Sequence, residues 1–171
     1  QLGKTLVSAA EICDYFTEEK SAAYPLLKQI ADSLLCFPEI SRHIDSILDK
    51  FGNIKDNASP ELQQLRRKLL SVSSSVNGMM QRVISRYKQN GMLDKDCTPS
   101  IRDGRLVIPV APMHKRAVKG IVHDESATGK TFFIEPEENV EATNQIRALD
   151  ADIHEEILRV LIKTADIISH P

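Results

Sequence analysis

Tryptophan is absent from this chain, and aromatic residues make up only 5% of its 171 positions. That is thin for a compact globular core and ordinary for long paired helices rich in Leu, Ile, Val and Ala. Cysteine is scarce as well. Cys13, Cys36 and Cys97 are odd in number, widely spaced and free of any CxxC pair. This argues against a disulfide framework and for a reducing, cytoplasmic compartment. No apolar run approaches the ~20 residues that a membrane helix needs, and no signal-peptide pattern opens the chain. No membrane partner is expected. Nor does charge of one sign dominate: the formal net charge of −2 argues neither for nor against nucleic acid as a partner. The chain starts at Gln1 rather than Met and ends at Pro171 just after an unbroken helical pattern, so it reads as a piece of a longer protein.

What is present is mostly helical periodicity. Residues 4–16 repeat Leu6, Ala9, Ala10, Cys13 and Phe16, and residues 22–35 repeat Leu26, Leu27, Ile30, Leu34 and Leu35 at helical spacing. Pro38 opens a third stretch with Ile40, Ile44, Ile47 and Leu48, closed by the turn-rich Asp49–Asp56. Ser59-Pro60-Glu61 is a helix start, with a capping serine, a proline suited to the first helical position and an acid at the positive end of the dipole. From there Leu62, Leu65, Leu69, Val72, Val76, Met79 and Val83 form a heptad seam, and Asn90-Gly91 is a natural stop. A helix of that span is about 45 Å long at ~1.5 Å per residue. Pro136-Glu137-Glu138 opens a second long helix with the seam Val140, Ile146, Leu149, Ile153, Ile157, Val160, Thr164 and Ile167. An apolar seam needs a partner. The economical arrangement pairs the two helices antiparallel.

Between these helices lies IRDGRLVIPVAPMHKRAVKGIVHDESATGKTFFIEPE, residues 101–137. Arg105–Val110, Val118–Val122 and Thr131–Ile134 read as strands, with Pro109 demoting the first to an edge. From 101 to 131 six basic residues, Arg102, Arg105, Lys115, Arg116, Lys119 and Lys130, face three acids, Asp103, Asp124 and Glu125, so this stretch carries +3 and the rest of the chain −5. The six cations are candidates to engage phosphates. The bland alternative is a solvated charged hairpin. No aromatic residue in the basic part is free to stack on bases, which argues against sequence-specific single-strand reading.

The expected fold class is therefore mainly α. It has a helical segment over 1–57, a first long helix within 58–100, a small β-rich tip over 101–135 and a second long helix over 136–171.

No catalytic constellation is present. Ala127-Thr128-Gly129-Lys130-Thr131 resembles half of a phosphate-binding loop, but the first glycine of GxxxxGK[ST] falls on Asp124, and Thr131–Ile134 reads as a strand where a helix is needed. A hairpin turn with Gly129 at positive φ is the simpler reading. His43, His114, His123, His154 and His170 show no metal-ligand spacing. His123, Asp124 and Ser126 are neighbours in sequence, which supports turn hydrogen bonds better than a triad.

IRDGRLVIPV, KGIVHDESATGKTFFIEPEENVEATNQIR and the earlier FGNIKDNASPELQQLRRKL together resemble the middle of the second bacterial MutS family. These are MutS-like ATPases, related to the mismatch-repair proteins, that carry a C-terminal Smr domain and lack the mismatch-reading N-terminal domain. The resemblance covers nearly the whole chain and is strongest over residues 49–147. It implies a core-plus-lever region with a clamp-like tip, within a homodimeric parent whose ATPase domain follows and uses ATP and magnesium. Family members are linked to suppressing recombination through branched DNA and to rescuing collided ribosomes, so DNA, the ribosome with its rRNA, or both are the implied partners. Arg102, Gly104, Arg105, Pro109, Lys119, Gly120, His123, Asp124, Ser126, Phe133, Glu135 and Pro136 fall on the family's motif, with Gly104, Pro109, Gly120, Gly129, Phe133 and Pro136 expected to shape the tip. Walker motifs and the Smr nuclease domain are absent from this sequence. No catalytic residue carries over, and no cofactor is expected in this stretch.

Two rival readings have different consequences. A coiled-coil module would dimerise through its seams and bind protein only. A small nucleotide-binding enzyme would use Gly129-Lys130-Thr131.

Overall fold

Ser59 caps the longest early helix as its sequence demands: the Leu62 N–H donates to Ser59 Oγ at 3.0 Å, and Pro60 opens α5, Pro60–Gln89. In the computed structural model, which describes residues 1–169, α5 is preceded by α1 (Leu2–Tyr15), α2 (Glu18–Ala23), α3 (Pro25–Asp32) and α4 (Pro38–Ile47). It is followed by β1 (Ser100–Arg102), β2 (Arg105–Val110), a 3-10 turn (Pro112–His114), β3 (Gly120–Glu125), β4 (Phe132–Pro136) and α6 (Glu137–Ser169). His170 and the expected helix end at Pro171 lie outside the described residues.

The chain divides into two compact units, one formed by Gln1–Gln63 with the chain from Glu155 onward, the other by Gln64–His154. The divisions fall inside the two long helices.

The first unit gathers the short helices. Ala31, Ile40, Ile47, Leu62 and Val160 are its buried apolar residues. Leu48 and Ile54 form an isolated antiparallel bridge around a turn tied by Asp49, whose Oδ1 accepts from the Phe51 and Asn53 N–H groups at 2.8 and 2.9 Å. Those bonds, led by Asn53, hold the Asp49 carboxyl below the usual range. At the start of α5, Ser59 Oγ donates to Glu156 Oε1 at 2.6 Å, and Arg159 closes on the other oxygen of this buried carboxylate.

The second unit is built on a four-stranded antiparallel sheet in the order β1-β2-β4-β3. The expectation of a mainly α fold, a helical hairpin with a small β tip, is overturned here: the chain is mixed α and β. The stretch between the long helices is no appendage. Its Ile108, Val110, Val118 and Ile134 join Met80, Val83, Ile84 and Tyr87 of α5, with Leu93 and Cys97, in one buried cluster. A sheet with one face closed on a helix is a core. The heptad reading missed this because Met80, Ile84 and Tyr87, which lie off the Leu62–Val83 seam, are buried against the sheet.

β1 was not expected, although its signal is present. Asp103 (φ 48°) and Gly104 (φ 72°) both take positive φ and join Arg102 to Arg105, which pair across the turn. Asp-Gly is a favoured two-residue hairpin loop for this reason. β2 changes partners along its length, pairing with β1 over Arg105–Val107 and with β4 over Ile108–Val110. The edge position suggested by Pro109 is not observed, because β2 lies between β1 and β4; Pro109 falls in the half that pairs with β4 alone, beyond the reach of β1.

Candidate nucleic-acid interface

Successive residues of a strand face opposite ways, so with Ile134 of β4 in the core, Glu135 faces the other side of the sheet. It is fully buried. A lone buried carboxylate is too costly to survive without partners, and Glu135 has two. Arg105 of β2 brings Nη1 to 3.3 Å from Oε1 and 3.2 Å from Oε2, and His123 of β3 places Nε2 2.6 Å from Oε2. The register explains the second contact. Val122 pairs with Ile134 and Asp124 with Phe133, which leaves His123 as the extra residue of a β-bulge. A bulge re-aims a side chain, here onto Glu135. Three strands are thus tied by one ionic cluster. Gly120 opens β3 against β4, and a Cβ there would sit 2.1 Å from the Glu135 carbonyl oxygen.

The six cations expected to meet phosphate are separated by this architecture. Arg105 is engaged on Glu135 and mostly buried. Arg102 lies between two partners, with Nε 3.3 Å from Asp124 Oδ2 and its guanidinium 4.2 Å from the Phe133 ring centre. Lys115 holds Nζ 3.8 Å over the Phe132 ring, so Phe132 and Phe133 are both stacked by cations. Lys130 is exposed in the turn just before Phe132, and Arg116 is exposed beside Lys115. Lys115, Arg116 and Lys130 are thus associated with the Phe132 end of β4. Lys119 is at the opposite end, next to Gly120, which pairs with Pro136. Its N–H donates to Tyr87 Oη at 3.3 Å, and its carbonyl accepts from Glu137 at 3.2 Å. Of the residues expected to shape this region, Gly104 is in the β1–β2 turn, Pro109 and Phe133 pair across β2 and β4, and Pro136 is buried where β4 runs into α6.

The half-motif at Gly129 is a closed turn. Gly129 has φ 67°, its N–H donates to Ser126 O at 2.8 Å, and the Thr131 N–H donates to Ser126 Oγ at 3.0 Å. Amides already engaged in this way are not presented to a phosphate, and β4 follows in place of a helix. A groove of about 1080 Å³ between the start of β3 and α6 is lined by Glu137 and Glu141, which disfavour phosphate there. Glu138 is closed on Arg86 of α5. Burial alone would raise the Glu138 pKa, but the Arg86 hydrogen bond and charge outweigh it and hold the carboxyl below its usual range. Among the described residues no group of three His, Cys, Asp or Glu side chains is placed to hold a metal ion, and no helix is long and apolar enough to cross a membrane.

Glu135 falls on the resemblance's motif, but nothing adjacent in sequence assigns it a role. The available signal was a single acid at the end of Phe132-Phe133-Ile134, since a charge in so apolar a strand needs partners.

No family model matches this chain. It is 36% identical over 167 residues, 97% of its length, to a protein of Pelotomaculum thermopropionicum named Endonuclease MutS2. It is 37% identical over 144 residues, 84% of its length, to the protein of that name from Halalkalibacterium halodurans, and 33% identical over 168 residues to that of Finegoldia magna. The chain covers 21%, 18% and 21% of those three proteins. Over nearly its whole length, this chain is therefore similar to about one fifth of the proteins named Endonuclease MutS2.

Proposed function

We propose that this chain is a non-catalytic region of a MutS2-type protein. Its β sheet rests an exposed set of cations, Lys115, Arg116 and Lys130, on the phosphates of DNA or of ribosomal RNA. The observation that carries this reading is the division of labour among the charges. Glu135 is paired inside with Arg105 and hydrogen-bonded to His123, and Asp124 is paired with Arg102, while Lys115, Arg116 and Lys130 remain exposed near the Phe132 end of β4 and Lys119 is exposed at the opposite end. Phosphate contacts of this kind give affinity without base specificity. Asp103 and Glu125 are exposed as well, so the affinity is modest and gains from a second copy in a dimeric parent.

The ATP and magnesium chemistry, and the nuclease activity in the relatives' name, belong in this reading to parts of the relatives' length that the chain does not cover. Its role would be to place the contact and to transmit the state of an ATPase elsewhere in the parent.

The test is fluorescence anisotropy with duplex and four-way-junction DNA between 50 and 200 mM salt. With about three phosphate contacts, affinity falls on the order of 40-fold across that range, little affected by sequence. Salt-independent binding, or no binding at high micromolar concentration to DNA or to purified ribosomes, would refute it.

A further inference from the structure

The three thiols have different surroundings. Cys97 is buried in the core of the second unit, and burial pushes its thiol up. Cys13, on α1, and Cys36, between α3 and α4, are 23 positions apart in sequence, yet their Sγ atoms stand 3.1 Å apart. That is inside the van der Waals separation of two sulfurs. Cys36 is exposed and Cys13 half-buried. A cavity of about 520 Å³ opens beside Cys36, walled by Phe37, Pro38, Glu39, Ile40, His43 and Ile167. The two sulfurs thus already stand near one another, where the usual obstacle to a disulfide is separation.

We propose that Cys13 and Cys36 form a reversible modification site, oxidised to a disulfide by exchange with a low-molecular-weight disulfide of the glutathione type. Cys36 is the more exposed of the two, and hydrogen bonding to Cys36, then burial and the charges of Cys36 and Asp14, push the Cys13 thiol up, so attack on the oxidant falls to Cys36. The Cys36 thiolate attacks one sulfur of the small disulfide, breaks its S–S bond, expels one thiolate and leaves a mixed disulfide on Cys36. Cys13 then attacks Cys36 Sγ and expels the second small thiol, which takes the Cys13 proton. Two protein thiols are oxidised and one small disulfide is reduced to two thiols. The product ties α1 to the segment that leads into α4. In a reducing compartment such a bond is transient and follows the redox state of the cell.

The test treats the native 171-residue chain with glutathione disulfide, then counts free thiols under denaturing conditions and maps the peptides. The expected result is loss of two thiols, a mass lower by two hydrogens, one Cys13–Cys36 link and an intact Cys97, all reversed by dithiothreitol. Cys97→Ala leaves this unchanged. Cys13→Ser stops at a stable glutathione adduct on Cys36, and Cys36→Ser slows oxidation at least tenfold. Overturning results are stable separate adducts on both cysteines of the native chain, a link through Cys97, or three free thiols remaining.

Discussion

Removing the Arg105 guanidinium would leave the Glu135 carboxylate buried with a single partner. Breaking a buried ion pair from one side costs about 3–5 kcal/mol, because the remaining charge is uncompensated. Arg105 keeps 14% of its side chain exposed and His123 still reaches Glu135 at 2.6 Å, so Arg105→Ala belongs at the low end, about 3 kcal/mol. Replacing both partners with apolar groups removes the stranded charge. Arg105→Met strands the same charge, so the double variant Arg105→Met/Glu135→Leu is expected within about 1 kcal/mol of the parent, and the cycle it closes with the singles Arg105→Met and Glu135→Leu should show a coupling energy of at least about 2 kcal/mol. The absence of tryptophan makes the assay simple. In a Tyr15→Phe/Tyr24→Phe background, Tyr87 in the sheet core is the sole tyrosine, and its emission during urea unfolding reports the second unit. An Arg105→Ala cost below about 1 kcal/mol, or a double variant as unstable as the sum of the singles, would refute the buried-hub account.

Gly120→Ala forces a Cβ against the Glu135 carbonyl and should cost about 2–3 kcal/mol by overpacking, read in the same unfolding assay; an unchanged midpoint would contradict the close approach. Ser59→Ala removes the α5 cap and one partner of Glu156, with an expected loss of about 1–2 kcal/mol by calorimetry, whereas Ser59→Asp keeps a cap but repels Glu156 and restores little. Asp49 has its folded pKa below the unfolded value of about 3.9. Its contribution is present above that pH and lost as pH falls through the folded pKa, so the 49–53 turn should open only in acid, and Asp49→Asn should abolish that dependence in NMR titrations. The partly exposed Arg86–Glu138 pair follows the same sign. Glu138→Gln is expected to cost no more than about 1 kcal/mol near neutral pH and nothing below the usual glutamate range.

Local grammar was legible where local physics decides. The Ser59-Pro60-Glu61 start, the strand over Arg105–Val110 and the turn at Gly129 were all readable from side-chain chemistry within a few residues. The fold class was not legible. Deciding between a tip and a core requires knowing that Met80, Ile84 and Tyr87 of α5 turn toward Ile108 and Ile134, and that is a tertiary choice. Asp103-Gly104 is a hairpin signal in the sequence, but the strand it joins to β2, β1, is only three residues long and carries little pattern of its own. At the candidate site, the sequence identified the cations but not their division of labour. Arg105 and Lys130 look alike in the sequence. Only the register of three strands, with its bulge at His123, assigns one to a buried carboxylate and leaves the other at the surface. The approach of Cys13 to Cys36 had no sequence signal, since their spacing matches no motif.

The most direct test of the central claim compares DNA affinity across salt for the native chain, for Lys115→Ala/Arg116→Ala/Lys130→Ala, and for the charge-matched control Lys4→Ala/Lys50→Ala/Lys68→Ala. The account predicts that the first variant loses at least about tenfold in affinity and that its salt slope flattens by about 0.9 per contact removed, while the control binds like the parent. Equal losses in both variants would show that the attraction is diffuse charge and would contradict a contact built on the sheet.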